Sequence, residues 1–232
     1  MVDVTFHARP GTVTAIVGPS GSGKTTIARL ISRFWDVDSG AVMVDGVDIR
    51  ELGTEQLMSR LSMVFQDVYL FDDSLIANIR VGRPDASDEE VFRAADLSGV
   101  TSIANRLGWH TPVGEGGRLL SGGERQRVSV ARALLKQAPI VLFDEATSAL
   151  DAENEANILA AMDELREQST FIVIAHKLDT IKSADQIVVL DEHGQVSQLG
   201  THSELSDVPG IYRHFWQQRK AASGWKISSG RD

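Results

Sequence analysis

A glycine-rich loop near the start of the chain constrains the fold more than any other stretch. Residues 18–25 read Gly-Pro-Ser-Gly-Ser-Gly-Lys-Thr and match the phosphate-loop pattern G-x-x-x-x-G-K-[ST] at every fixed position. The preceding run Thr12–Val17 predicts a buried strand, and the following run Ile27–Ile31 predicts a helix. Strand, glycine loop and helix are the context in which this motif binds phosphate, so the sequence predicts a nucleotide-binding site here.

The residue types in this loop suit a phosphate ligand. Glycines let the backbone curl until successive N–H groups point at phosphate oxygens, and the new helix adds the positive end of its dipole. Lys24 can reach the β- and γ-phosphates, and the Thr25 hydroxyl can bind Mg²⁺. The alternative, a strand–helix turn that happens to contain a lysine, is disfavoured because both flanking segments agree with the motif. The predicted phosphate-binding residues are Gly18, Ser20, Gly21, Ser22, Gly23, Lys24, Thr25 and Thr26.

Composition narrows the classes of partner. The 232-residue chain carries a formal net charge of −9, whereas a nucleic-acid surface needs a basic stripe, so we expect no nucleic-acid partner. The chain contains no cysteine, which excludes disulfides and thiolate metal sites. The longest apolar runs, such as Ile140–Phe143 and Phe171–Ala175, are far shorter than the ~20 residues that span a bilayer. Any membrane-spanning part must therefore come from another polypeptide segment.

Strand and helix signals alternate along most of the chain, which predicts an α/β fold with a mostly parallel sheet. A weak alternation over Val2–His7 predicts a first strand. The dipeptide Asp45-Gly46 after Val42–Val44 predicts a tight turn in a small antiparallel part. Further strands are predicted at Ser62–Phe65, Ile140–Phe143, Phe171–Ala175, Gln186–Leu190 and Gln195–Leu199.

Between residues 66 and 136 the strand signals stop and helix signals dominate. Two capping boxes, Ser87–Glu90 and Ser121–Glu124, predict helix starts, because the serine can cap the helix while the glutamate reaches back. We therefore expect residues 66–136 to form a helical lobe inserted into an α/β core of residues 1–65 and 137–220. Residues 221–232 are polar and are expected to form a flexible tail.

A second nucleotide motif lies at the end of the apolar run Ile140–Phe143, where Asp144 and Glu145 follow. A strand next to the phosphate-loop strand would deliver Asp144 beside Thr25, where oxygen ligands must hold Mg²⁺. Glu145 would then orient, and deprotonate, the water that attacks the γ-phosphate. A solvated strand end is the alternative, and the phosphate loop argues against it. Gln66 and His176 also follow strands, and their residue types alone leave a site role and a surface or capping role equally open.

The stretch Leu120–Gln126, Leu-Ser-Gly-Gly-Glu-Arg-Gln, resembles the signature motif of ATP-binding-cassette ATPases. Other marks follow in that family's order. Gln66 is similar to the Q-loop glutamine, Ser148–Asp151 to the D-loop and His176 to the switch histidine. The resemblance covers nearly the whole chain.

This resemblance implies a P-loop NTPase with a RecA-like core, with ATP as substrate and Mg²⁺ as cofactor. Two cassettes, identical or different, would pack head to tail, each phosphate loop facing the other's signature, so that ATP binding closes the homo- or heterodimer and hydrolysis resets it. The implied residues are Glu145, His176 and Gln66 for catalysis, Thr25, Gln66 and Asp144 for Mg²⁺, Asp151 in the D-loop, and Ser121, Gly122, Gly123 and Glu124 for the partner's ATP.

The signature stretch also makes physical sense as an anion site. Ser121 is predicted to cap a helix whose start carries two glycines, so a phosphate could approach the backbone N–H groups. The fifth signature position is Glu124, where the family most often has glutamine. Glutamate at the third helical position suits the cap, and we expect the site to remain competent.

A finer resemblance points to the exporter-type branch of the family. Thr111–Glu115 is similar to the loop T-x-V-G-E, which in that branch touches the coupling helices of the membrane domains, so Glu115 is the predicted coupling residue. The stretches Gln66–Phe71 and Ile76–Ile79 also look exporter-like. The implied protein is an ATP-hydrolysing domain of an exporter-fold transporter at the cytoplasmic face of a membrane. Its membrane helices would belong to the same longer polypeptide, and the isolated domain would be soluble.

Two further features concern the ends of the chain. The family carries an aromatic residue that stacks on adenine upstream of the phosphate loop, at a position that would precede Met1. We therefore expect an N-terminally shortened domain that binds ATP more weakly than a complete one. Near the other end, Phe215–Arg219 and Ala222–Ile227 resemble actinobacterial siderophore-transporter halves.

Three other functions remain as alternatives. Soluble cassette ATPases of DNA repair or chromosome structure need coiled-coil insertions and basic surfaces, and the sequence has neither. Translation-associated cassette proteins carry two cassettes in one chain, and the exporter-like loop at Glu115 argues against that class. A binding module without turnover is disfavoured because Glu145 and His176 are both present.

Overall fold

The computed structural model describes residues 3–65, 67–144, 160, 162–163, 165, 168–175 and 178–224, with side chains omitted at 179 and 222–224. In this part of the chain, six strands form one sheet in the order β4-β5-β6-β1-β7-β8. Every neighbouring pair is parallel except β7 and β8, so the predicted α/β class with a mostly parallel sheet is confirmed. The strands are β1 (Val13–Val17), β2 (Met43–Val44), β3 (Val47–Asp48), β4 (Leu61–Val64), β5 (Ile140–Asp144), β6 (Thr170–Ile174), β7 (Gln186–Leu190) and β8 (Val196–Gly200).

Strands β2 and β3 form a separate antiparallel hairpin, as the sequence predicts. Its two turn residues both adopt left-handed backbone angles, with φ of 53° at Asp45 and 77° at Gly46. This is the type I′ turn that matches the natural twist of a hairpin, and Asp-Gly is one of the dipeptides that favour it.

The described helices are α1 (Lys24–Ile31), α2 (Thr54–Arg60), α3 (Leu75–Arg80), α4 (Asp88–Leu97), α5 (Thr101–Leu107), α6 (Gly122–Lys136), α7 (Leu178–Ser183), α8 (His202–Asp207) and α9 (Ile211–Gly224). Helices α3 to α6 lie between β4 and β5 in the chain, and a single bridge between Ser74 and Pro112 is the one β-type pairing among the described residues 67–136. Across the described ranges, no helix has the length and apolar character needed to cross a bilayer.

The helical segment shares its hydrophobic core with one face of the sheet. Helix α6 packs against α3, α4 and β4, which buries Val128 and Val130 on different sides of the helix. These residues belong to the same buried cluster as Val13 and Val141 from the sheet. Alternate residues of β1, such as Ile16, belong to a second cluster on the opposite face. Both faces of the sheet are therefore covered, as is usual for parallel sheets.

The sequence prediction of a strand at Val2–His7 is wrong for the residues that the structure describes. Val4 and Phe6 are partly buried against the second cluster while Thr5 and His7 are exposed, so the alternation is real. The segment nevertheless makes no strand ladder, and its described tie to the sheet is the Gln186 amide, which donates to the His7 carbonyl oxygen (3.1 Å). Alternating apolar and polar residues indicate which side of an extended segment is buried. They do not show that a neighbouring strand pairs with it.

Gly82, between α3 and α4, lets the chain pass against the backbone of α6. A Cβ atom here would lie 2.3 Å from the Arg132 carbonyl oxygen and 3.0 Å from its carbonyl carbon. We expect Gly82→Ala to lower the free energy of unfolding by about 3 kcal/mol, because a helix backbone cannot move aside as a side chain can. Urea denaturation measures this change.

Gly53 provides the matched control for this substitution. Its φ of −63° suits any residue, and among the described residues a Cβ there would meet nothing nearer than the Gln56 side-chain oxygen at 3.7 Å. Gly53→Ala should cost at most about 1 kcal/mol, the usual price of alanine at a helix N-cap. Equal losses in the two variants would contradict the close-approach explanation.

Candidate functional site

The phosphate-loop motif forms a tight turn between β1 and α1. Gly21 and Gly23 have φ of 83° and 90°, a left-handed conformation that strongly favours glycine. A Cβ on Gly18 would lie 2.8 Å from the Leu190 carbonyl oxygen and 2.9 Å from the Ser22 hydroxyl oxygen. Ser22 itself is buried, and its hydroxyl has no hydrogen-bond partner among the described residues. The loop therefore curls closely against the end of β7 and encloses an unsatisfied polar group.

Lys24 lies over this loop, with its side chain only 7% exposed. Its ammonium donates hydrogen bonds to the carbonyl oxygens of Gly18 (3.0 Å) and Pro19 (2.8 Å). Charge-assisted bonds of this kind offset part of the cost of burying a cation. The positive charge is thus held at the loop itself. Of the other predicted contacts, Ser20 and Thr26 are exposed.

The structure brings Thr25 and Asp144 together. The Thr25 hydroxyl donates to the Asp144 carboxylate (3.2 Å), and Asp144 is 4% exposed at the end of β5. Both groups are hard oxygen donors. Their separation fits the roughly 3 Å between neighbouring ligands of an octahedral Mg²⁺ with bonds of about 2.1 Å. The pair can therefore contribute two ligands to such an ion.

The route by which Asp144 reaches Thr25 differs from the sequence prediction. Strand β5 is not the neighbour of β1, because β6 lies between them. Thr25 belongs to α1, which contacts β5, so the helix rather than the adjacent strand spans the gap. Strand adjacency was unnecessary because the helix after the loop crosses the face of the sheet.

The catalytic residues predicted from the sequence, Gln66, Glu145 and His176, and the D-loop residues 148–151 lie outside the described residues. Their preceding strands are described. Gln66 follows shortly after β4, Glu145 directly after β5 and His176 shortly after β6. These three strands are adjacent and parallel, so their carboxyl ends meet at one edge of the sheet. That edge also carries Asp144 and is the usual location of ligand sites in open α/β sheets.

The start of α6 has the predicted capping box. The Ser121 hydroxyl accepts from the Glu124 N–H (3.2 Å), and the Glu124 carboxylate accepts from the Ser121 N–H (2.8 Å). Ser121 and Gly122 are exposed, while Gly123 and Glu124 are partly buried. Among the described residues, a Cβ on Gly122 would have only the Arg125 guanidinium within 4.0 Å, so they leave this helix start open to an approaching group.

Glu115 begins a short 3-10 helix, Glu115–Gly117, and is exposed. The loop around it turns sharply through Gly114 and Gly116, whose φ values are 75° and 65°. Val113 anchors the loop, since it is fully buried and its N–H donates to the Asp73 carbonyl oxygen (3.0 Å). The glutamate is therefore presented outward from a fixed base.

Two side chains of α6 that the sequence reasoning did not single out hold the chain on either side of Gln66. The buried Gln126 amide donates to the Phe65 carbonyl oxygen (3.2 Å). The Arg132 guanidinium donates to the Tyr69 carbonyl oxygen (2.9 Å), and burial lowers the pKa of Arg132 to about 10. Gln126 ends the signature stretch, which could have drawn attention to it. Nothing local in the sequence indicates the partner of Arg132.

Arg106 is a further residue that the sequence analysis did not single out. It lies in the last turn of α5, and its guanidinium donates to the Glu124 carboxylate across the gap to α6. The two residues are 18 positions apart, so neither helical periodicity nor capping rules connect them.

Comparisons with known proteins agree with one another. The family model described as "ABC transporter" matches residues 1–148. The chain is 48% identical over 217 residues to the ATP-dependent lipid A-core flippase of Legionella pneumophila (strain Paris), covering 93% of this chain and 37% of that protein. It is 49% identical over 228 residues to the mycobactin import ATP-binding/permease protein IrtB of Mycolicibacterium thermoresistibile, covering 97% and 39%.

A solved structure gives the same picture. The structure of a bacterial Atm1-family ABC exporter with ATP bound superposes with a TM-score of 0.89 at 44% identity, covering 93% of this chain and 38% of that one. The chain therefore spans well under half the length of each of these relatives.

Proposed function

Because the chain belongs to the ABC transporter family, we propose that it is an ATP-hydrolysing nucleotide-binding domain that powers an exporter-fold membrane transporter. One observation carries the proposal: the Thr25 hydroxyl and the buried Asp144 carboxylate lie 3.2 Å apart beside the phosphate loop. That pairing brings together the phosphate loop and the acidic end of β5, the two halves of a nucleoside triphosphate site, from positions 119 residues apart. Neither half alone distinguishes hydrolysis from simple phosphate binding.

The phosphate loop binds the nucleotide in this proposal. Lys24 exchanges its bonds to the Gly18 and Pro19 carbonyls for the β- and γ-phosphate oxygens. The Ser22 hydroxyl, which has no hydrogen-bond partner in the described part of the chain, gains one in a phosphate oxygen. Predicted contacts from Gly18, Ser20, Gly21, Ser22, Gly23, Lys24, Thr25 and Thr26 complete the cradle.

Hydrolysis needs a cation and a base. Thr25, Asp144 and Gln66 would hold Mg²⁺. A bound Mg²⁺ ion would neutralise the charge that develops on the phosphate oxygens. Glu145 orients the attacking water and accepts its proton, and His176 acts on the same γ-phosphate. These assignments are supported by the three strand ends that meet at this edge of the sheet.

A second copy completes the site. Residues Ser121 to Glu124 at the start of α6 serve the ATP held by the phosphate loop of the partner, and Asp151 is assigned to the same interface from its sequence motif. The open space beside Gly122 supports this arrangement, because the described residues leave room there for a phosphate to approach the N–H groups of the helix start. ATP binding then favours the closed dimer, and ATP hydrolysis lets the dimer open again.

Coupling to a membrane domain is assigned to Glu115. Its exposed loop is anchored by the fully buried Val113, so the glutamate is available to a partner from a fixed position. The relatives are much longer proteins whose names include flippase and permease, which supports a membrane domain in the same longer polypeptide and a position at the cytoplasmic face. In the same proposal, residues 1–65 and 137–220 form the ATP-binding core and 66–136 the signature subdomain.

The cargo does not follow from this domain. Relatives named for lipid A-core, mycobactin and β-glucan lie within 46–49% identity of the chain, so cassette similarity does not track the transported molecule. The siderophore resemblance of the tail stays a prediction. A soluble cassette ATPase of DNA repair or translation is disfavoured, since the relatives compared are transporters.

The testing experiment uses Glu145→Gln in this chain with Mg-ATP in the millimolar range. We expect the variant to hydrolyse ATP about 10²–10³-fold more slowly than the unmodified chain, because the water loses its base. It should elute as a dimer on size exclusion with light scattering, since the closed state is no longer released. Glu192→Gln, on an exposed loop, is the matched control and should behave as the unmodified chain.

Two results would count against the proposal. An unmodified chain that binds Mg-ATP but does not hydrolyse it would remove the ATPase function. A Glu145→Gln variant that binds nucleotide yet stays monomeric at high protein concentration would contradict the head-to-tail dimer.

A further inference from the structure

The start of α6 carries a carboxylate where the proposed function requires a phosphate to bind. Glu124 is the third residue of the helix, and one of its oxygens accepts from the Ser121 N–H (2.8 Å). A phosphate of a second copy's ATP would approach the same helix start. The carboxylate and the phosphate are both negative and would repel each other there, more strongly where water is excluded. A charged Glu124 therefore works against the site unless another group compensates it.

Glu124 is ionised in the folded protein. Burial pushes its pKa upward, but hydrogen bonds from the Ser121 N–H and the Arg106 guanidinium outweigh that effect, and the pKa lies below its ordinary value. The side chain is 17% exposed, so water screens its charge only in part. The repulsion is consequently not removed by protonation at neutral pH.

Arg106 is placed to compensate this charge. Its guanidinium bonds to Oε1 of Glu124, while Oε2 is engaged by the Ser121 N–H, so each carboxylate oxygen has its own partner. The pair holds the carboxylate back in the cap and adds a positive charge at the entrance. With the carboxylate held in the cap, a phosphate can approach the backbone N–H groups of Gly122 and Gly123.

We propose that Arg106 is a positioning residue for the in-trans phosphate site: it neutralises and holds Glu124 so that the start of α6 accepts the phosphate of ATP bound to a second copy. The inference rests on the proposed function. A chain with glutamine in place of Glu124 has no such charge and no need of the arginine. Arg106 and Glu124 are thus a matched pair.

A purely structural role would predict something different. Arg106 is 52% exposed, and ion pairs with that much solvent contact contribute little to folding stability. If the pair merely joined α5 to α6, its loss would alter thermal stability slightly and leave ATP-driven dimerisation unchanged. Dimerisation and stability therefore separate the two roles.

The experiment measures a double-mutant cycle. Arg106→Gln, Glu124→Gln and the double variant are each made in the Glu145→Gln background, and the dimer dissociation constant with Mg-ATP is measured by sedimentation. The same three changes in the unmodified background give kcat and KM for ATP. Monomer affinity for nucleotide and the melting temperature are measured for every variant.

We expect Arg106→Gln to weaken ATP-driven dimerisation about tenfold, because a charge at the interface is left uncompensated. Monomer affinity for nucleotide should stay within about twofold, since the phosphate loop is untouched. The double variant should return close to the dimer constant of the Glu145→Gln parent, and Arg106→Lys should retain most of the affinity because it keeps the charge. Arg213→Gln, an exposed residue of α9, removes the same charge elsewhere and should have no effect.

The cycle has clear contrary outcomes. The inference is overturned if Arg106→Gln leaves the dimer dissociation constant unchanged. It is also overturned if Arg106→Gln weakens dimerisation and the added Glu124→Gln change does not restore it. If the parent Glu145→Gln chain binds nucleotide but does not dimerise, the proposed function has failed and the inference falls with it. Failure confined to the Arg106 variants leaves the proposed function standing.

Discussion

Lys24→Met is expected to lower the rate of ATP hydrolysis at least about 100-fold, the effect of removing one preorganised positive group from a phosphate-transfer site. The Lys24 ammonium is held at the loop by two carbonyl oxygens at 2.8–3.0 Å, so it is positioned before any nucleotide arrives. Methionine keeps the unbranched stem that fills the buried space and deletes only the charge and its hydrogen bonds. Nucleotide affinity should fall together with the rate.

A phosphate-release assay measures the rate, and fluorescence of a labelled ATP analogue measures the affinity. Lys220→Met on the exposed surface of α9 is the matched control and should leave both unchanged. Circular dichroism establishes that each variant is folded. A Lys24→Met protein that keeps its fold and hydrolyses ATP within tenfold of the unmodified rate would show that the loop is a structural turn.

The second large effect concerns stability at Asn78, which is fully buried at the middle of α3. Its amide nitrogen donates to the carbonyl oxygens of Phe71, Asp73 and Ser74 at 3.0–3.2 Å. Its side-chain oxygen accepts from the Phe71 N–H (2.9 Å) and from the Arg132 guanidinium (2.6 Å). One side chain thus satisfies the backbone of the segment that leads into α3.

Asn78→Ala should lower the free energy of unfolding by about 4 kcal/mol, because it leaves several buried backbone polar groups and part of the half-buried Arg132 guanidinium without partners. Asn78→Asp keeps the acceptor for Phe71 and Arg132 but places a buried carboxylate oxygen against three carbonyl oxygens, so it should also lower the free energy of unfolding. Chemical denaturation measures both changes.

The matched control is Asn105→Ala, which makes the same deletion at an exposed position of α5 and should cost no more than about 0.5 kcal/mol. If Asn78→Ala and Asn105→Ala have the same denaturation midpoint, the hydrogen-bond network around Asn78 contributes nothing to stability.

Local patterns predicted local structure well. The capping boxes at Ser87 and Ser121 were predicted from serine and glutamate three positions apart, and both occur with reciprocal hydrogen bonds. The Asp45-Gly46 dipeptide predicted a hairpin turn that is present. In each case the interacting groups lie within one turn of chain, so the residue types alone decide the geometry.

Long-range arrangement was harder to predict. Alternation at Val2–His7 suggested a strand, but no residue pattern states whether a neighbouring strand exists, and the described residues form none. The insertion of β6 between β1 and β5 was also missed. Strand order depends on which helices cover which face, and that is a property of the whole packed chain.

The sequence by itself determined the phosphate loop, the capping boxes at Ser87 and Ser121 and the Asp45-Gly46 turn, because each is written in residues that are neighbours along the chain. It also indicated the α/β class and the family, through the order in which such local patterns follow one another. Only the tertiary structure decided that α1 carries Thr25 across to Asp144, that Arg132 supports Asn78, and that Arg106 neutralises Glu124. Those partners are 119, 54 and 18 positions apart. Their meeting depends on how helices pack on the sheet, and no local preference for backbone angles encodes it.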